Sequence, residues 1–112
     1  MIEKAKMAML LDFYGDVLTE KQREAMDMYY NNDFSLSEIA ENTGISRQGV
    51  RDRLQKSEQI IVDLESKLRL YERYCAKKAD VTRIVNLLEQ IKRLAPAEIS
   101  EIIEIANGLL DK

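Results

Sequence analysis

Apolar residues recur at helical spacing along almost the whole of this chain. Met7, Leu10, Leu11 and Tyr14 share one side of a helix predicted over 3–14, and Gly15 and Asp16 interrupt it. Thr19 and Gln22 have the spacing of a capping box, in which each side chain bonds to the other residue's backbone N–H. The helix it opens carries Ala25, Met26, Met28, Tyr29 and Tyr30 and stops at Asn31-Asn32-Asp33. Ser35 and Glu38 repeat the box, and Phe34 and Ile39 have the spacing of a hydrophobic staple. This short helix, roughly 36–43, ends at Gly44, a residue suited to a left-handed cap. Ser46 caps the next helix, with Ile45 and Val50 again at staple spacing.

That next helix is predicted to be long. Val50, Leu54, Ser57, Ile61, Leu64, Leu68, Tyr71 and Cys75 step alternately by four and three, a heptad seam with one polar slot at Ser57. Unbroken to Cys75, it spans about 45 Å at 1.5 Å per residue, more than the roughly 34 Å width of a globule of this chain length. The seam therefore needs a surface. One solution is a second chain, paired through Ile61, Leu64, Leu68, Tyr71 and Cys75. The other is the chain's own C-terminal helices, 80–94 and 98–109, folded back over it. Parallel pairing would bring two Cys75 thiols together, whereas the plainer reading of Cys75 is a small buried hydrophobe.

Ala76-Lys77-Lys78-Ala79-Asp80 reads as a corner, with Asp80 capping a helix that carries Val81, Ile84, Val85, Leu88 and Ile91. A second corner follows at Leu94-Ala95-Pro96, where Pro96 suits a first helical turn. The last helix is rich in isoleucine and leucine, with Asn107-Gly108 fraying its end. The expected class is all-α: a helix-turn-helix domain over 1–58, then a long-helix extension and C-terminal helical hairpin over 59–112, forming one continuous unit. One proline, and no glycine between Gly49 and Gly108, agree with it.

The 112 residues carry a net charge of −3, which argues against a generic polyanion binder. The charge is uneven: residues 1–33 sum to −3, 34–78 to +2 and 79–112 to −2. An anionic partner would meet the middle. There is no histidine, the single cysteine gives no zinc spacing, and no phosphate loop or nucleophile motif occurs. The expectation is a non-enzymatic protein with no metal and no cofactor. No apolar run approaches a membrane span, and Met7-Ala8-Met9-Leu10-Leu11 is too short for a signal-peptide core, so a cytoplasmic protein without membrane contact is expected.

The pattern over 39–54 has the parts of a helix-turn-helix. Ala40 is small enough for two helices to approach, Gly44 makes the corner, and Ile39, Ile45, Val50 and Leu54 fill the shared core. With Val50 and Leu54 inward, Gln48, Asp52 and Gln55 point outward. Arg51 and Lys56 lie on the shoulders, and Arg47 and Arg53 lie nearer the core boundary. Glutamines can bond adenine bidentately, and arginines can take phosphate or guanine, so these seven residues form a candidate duplex-DNA surface. Asp52 opposes phosphate unless it accepts from a cytosine amino group or pairs with an arginine. The alternative is an ordinary solvated or protein-contacting face. Gly49 either permits close approach of a backbone or is simply tolerated in a first turn.

The second helix, with Gly49-Val50-Arg51-Asp52-Arg53-Leu54, resembles region 4 of bacterial sigma factors. The run from Leu10 to Tyr74, with LTEKQ, MYY and SLSEIAE followed by SRQ, resembles the YlxM-like family of small helix-turn-helix proteins. The last 35 residues carry no such likeness. The resemblance implies a sigma-region-4-like bundle with long C-terminal helices, and a setting beside the signal recognition particle and its receptor. It implies an accessory or regulatory role there, with particle components as partners. The family tends to have alanine at position 49 and tyrosine at 51, so its recognition surface does not transfer unchanged. The resulting expectation is a homodimeric DNA-binding regulator, its two chains paired through the heptad seam or through the apolar last helices. The alternative is an adaptor that binds a protein or ribonucleoprotein of the targeting particle and not DNA.

Overall fold

In a computed structural model, residues 3–110 are described, and every regular element among them is helical. Helix α1 (Lys4–Tyr14) buries Met7, Leu10, Leu11 and Tyr14, the predicted stripe. A single 3-10 turn, Gly15–Val17, leads to Thr19, whose hydroxyl accepts from the Gln22 N–H while the Gln22 amide oxygen accepts from the Thr19 N–H. The helix so opened, α2 (Glu20–Met26), widens into a π turn over Asp27–Asn31. The widening sets the Tyr29 and Tyr30 rings edge to face, 4.9 Å apart, half-buried against the core.

Helices α3 (Leu36–Thr43) and α4 (Arg47–Leu68) make the predicted corner. Gly44 has φ +73°, a conformation that costs an L-residue strain and glycine none, and its N–H closes on the Ala40 carbonyl at 2.9 Å. Ile39, Val50, Ile61 and Met26 are fully buried, and with Leu10, Leu11 and Leu54 they belong to one cluster. Helix α4 is its axis, with α1, α2 and α3 all packed on it. The heptad seam is thus core through Ile61, covered by the N-terminal helices. Ser57, the polar slot, is buried and bonds back to the Arg53 carbonyl at 2.7 Å.

Two expectations about the rest are corrected. The long helix does not reach Cys75: Arg69, with φ +56°, ends α4, and α5 (Leu70–Ile91) starts at once. Tertiary capping holds the break. Tyr14 Oη donates to Glu65 Oε1 (2.6 Å) and accepts from the Leu70 N–H (3.1 Å), while the Tyr71 N–H donates to Glu65 Oε1 (3.0 Å). The corner expected at Ala76–Asp80 is absent, because α5 runs through it; the residues there are good helix formers, and nothing breaks the backbone ladder.

The chain divides into two compact units, the first ending at Tyr71 and the second beginning at Glu72. In the second, α5 is followed by a 3-10 turn (Lys92–Leu94) and α6 (Pro96–Gly108), with Pro96 in the first turn as expected. Val81, Ile99 and Ala106 are its buried hydrophobic residues.

Candidate nucleic-acid interface

The site begins with a cap. Ser46 Oγ accepts from the Gly49 N–H at 3.0 Å, fixing where α4 starts and therefore which residues turn outward. A Cβ at Gly49 would lie 3.2 Å from that oxygen and 3.5 Å from Ile45 Cδ1, so the glycine leaves the cap uncrowded. Val50 and Leu54 are buried against α2 and α3. That anchoring exposes Arg47, Gln48, Arg51, Asp52, Gln55 and Lys56 and leaves Arg53 half-exposed. All seven residues of the sequence-derived surface thus share one end of one helix.

Their partners are informative. Gln48 Nε2 donates to Asp52 Oδ1 at 2.9 Å, so Asp52 is engaged by an amide one turn back and not by an arginine. Arg47, Arg51, Arg53 and Lys56 have no carboxylate within ion-pair distance among the described residues, whereas Lys4 pairs with Asp33 and Arg23 with Asp16 and Asp27. Four cations thus flank a centre whose remaining capacity is mostly acceptor. Cations of this kind take phosphate oxygens, and the acceptors suit the amino groups of cytosine or adenine.

An open groove of about 1010 Å³, not foreseen from the sequence, adjoins this face. Its apolar lining includes Met7, Leu36, Leu54 and Val62, its aromatic lining Tyr29 and Tyr30, and Arg51 and Gln55 belong to both groove and face. Tyr30 Oη bonds to the Glu58 carboxylate, and burial, reinforced by that carboxylate, pushes the phenol far above the ordinary tyrosine range. Glu58 comes from a different helix 28 positions along, so no local pattern marks the groove.

The five residues expected as a pairing seam do not form one exposed stripe. Ile61 is fully buried, Leu64 and Tyr71 pack against the same core, and Leu68 and Cys75 are exposed on either side of the Arg69 break. The reading of Cys75 as a buried hydrophobe is corrected: its thiol is free and exposed. No described helix is long and apolar enough to cross a membrane, and no group of acidic, cysteine or histidine side chains among the described residues could hold a metal ion.

Comparison with known proteins agrees with the corner and its cap. Residues 1–105 match the UPF0122 family, described as "Putative helix-turn-helix protein, YlxM / p13 like". A UPF0122 protein of Clostridium kluyveri is 38% identical over 104 residues, covering 93% of this chain and 94% of its own length. One from Desulforamulus reducens is 36% identical over 112 residues, covering 100% and 93%, and one from a Thermoanaerobacter species is 47% identical over 87 residues, covering 78% and 68%. With its helix-turn-helix in place and the match spanning both units, the chain belongs to the UPF0122 family of YlxM/p13-like helix-turn-helix proteins.

Proposed function

We propose that this protein is a non-enzymatic DNA-binding regulator that lays the first three turns of α4 in the major groove. One observation carries the reading: Arg47, Arg51, Arg53 and Lys56 stand together at the start of α4 with no carboxylate partner among the described residues. In an otherwise acidic chain, leaving four neighbouring cations unpaired disfavours the isolated protein and favours a polyanion complex. Arg47, Arg51, Arg53 and Lys56 hold phosphates, and Gln48, Asp52 and Gln55 face base edges.

The test is fluorescence-anisotropy titration of random duplex DNA at low and moderate salt. Wild type is compared with the Arg47→Ala/Arg51→Ala/Arg53→Ala/Lys56→Ala variant. Expected is binding that weakens with salt at a slope of a few released ions, and no binding by the variant. Absence of wild-type binding at low salt overturns the reading. The second reading, an adaptor for a protein or ribonucleoprotein of the signal recognition particle, is favoured by the groove beside α4, whose tyrosines and aliphatic lining suit a protein contact. Under it, duplex binding fails while substitution at Tyr29 or Leu36 weakens association with purified particle components.

A further inference from the structure

The apolar patterns of α5 and α6 are the same pattern, eighteen residues apart. Asp80, Val81, Arg83, Ile84, Leu87 and Ile91 correspond in turn to Glu98, Ile99, Glu101, Ile102, Ile105 and Leu109. Within each set the internal spacing is identical, so the residues of each set hold the same angular positions relative to one another about their own helix axis. The burial repeats as well: Val81 and Ile99 are buried, whereas Ile84, Leu87, Ile91, Ile102, Ile105 and Leu109 are each 45 to 70% exposed. Each helix therefore leaves open a stripe on the same side of its buried line.

We infer that these two stripes are the surface through which two copies of this chain associate, α5 of one protomer on α6 of its partner. Area is consistent with this. The six side chains leave open on the order of 500 Å² of mainly apolar surface, at the upper end of the largest patch a typical monomer exposes, a size that is often functional. It also matches the apolar share, about 65%, of the roughly 800 Å² each partner gives to a standard homodimer interface.

Charge supports it too, and selects the pairing. The stripe-bearing half of α5 and the turn after it hold Arg83, Lys92 and Arg93 against Asp80 and Glu89, while α6 holds Glu98, Glu101 and Glu104 and no basic residue. None of these charges makes an ion pair among the described residues. At the stripe edge the corresponding residues are Arg83 and Glu101. At that edge, laying α5 on α5 sets Arg83 against Arg83, and laying α6 on α6 sets carboxylate against carboxylate. Laying α5 on α6 sets Arg83 beside Glu101, in a register that keeps Asp80 and Glu98 apart, and a two-fold axis makes that contact twice.

The test is the mass of the full chain in solution, by light scattering and sedimentation equilibrium at micromolar concentrations, with no DNA present. Wild type is expected at twice the mass of one chain. Leu87→Glu and Ile105→Glu, at positions already 59% and 60% exposed, are expected as helical monomers. Arg83→Glu alone should weaken the dimer about tenfold, and Arg83→Glu combined with Glu101→Arg should restore it. A wild type that stays monomeric overturns the inference, as does a dimer indifferent to both glutamates. If either glutamate variant loses helical circular dichroism, the charge exchange decides, and failure of the double variant to recover association counts against α5-on-α6 pairing.

Discussion

Asp52 sits at the centre of the exposed face of α4 and carries the wrong sign for a phosphate surface. Its bond from Gln48 occupies an amide donor that an adenine contact would use. Asp52→Ala removes the charge and frees Gln48 together. Affinity for random duplex should rise a few-fold, since a screened charge at this range is worth about 1 kcal/mol or less. An anisotropy titration reads it directly, and an unchanged or weaker affinity would show the carboxylate serving as an acceptor for a base. Glu38 gives a second prediction at the same scale. The Ser35 N–H, then the Ser35 hydroxyl hydrogen bond, holds its carboxyl below the ordinary value of 4.5. A carboxyl lowered on folding contributes stability above its unfolded value and loses it as pH falls through the folded one. Thermal midpoints recorded from pH 6 downward should therefore drop less steeply below about pH 4.5 in Glu38→Gln than in wild type; parallel profiles would remove the carboxylate from the cap's energetics.

Between elements, the decisive bonds are those that end α4. Arg69 is left-handed, a state that costs an L-residue about 1–2 kcal/mol. It is held because Tyr14 and Glu65 take up the first N–H groups of α5. Tyr14→Phe removes one acceptor and the donor to Glu65, and should lower urea stability by about 1 kcal/mol. Glu65→Ala, which also strips the Tyr71 N–H, should cost more. Limited trypsin digestion at Arg69 would accelerate in the same order, and equal digestion of all three proteins would refute the latch. This break also marks what the sequence could and could not convey. The α3–α4 corner was legible because its causes are local: Ser35 and Glu38, Gly44, and Ser46 with Gly49 act within a few residues. The break was not, because Tyr14 lies 56 residues from the amide it caps, and the heptad spacing runs through Arg69 undisturbed. The candidate face followed the corner, since Val50 and Leu54 fix its direction. The groove did not, since Glu58 meets Tyr30 only in the folded unit.

For the whole molecule, the placement of pairing separates two pictures that both yield a dimer. The heptad reading joins chains in parallel through Leu68, Tyr71 and Cys75. The stripes of α5 and α6 join them farther along the chain. The free, exposed Cys75 distinguishes these. It lies six residues before Val81, which at 100° per residue turns it about 150° away from the stripe of Ile84, Leu87 and Ile91. Paired through the stripes, two Cys75 thiols face away from the shared surface. Oxidation with copper-phenanthroline, under conditions where light scattering finds a dimer, should then leave a single-chain band on a non-reducing gel. Rapid cross-linking, abolished by Cys75→Ser, would instead place the pairing along the end of α4 and the start of α5. In that case the Arg69 break would have to straighten in the dimer, because the seam is continuous only when α4 and α5 form one helix. The oxidation result therefore bears on both the interface and the break.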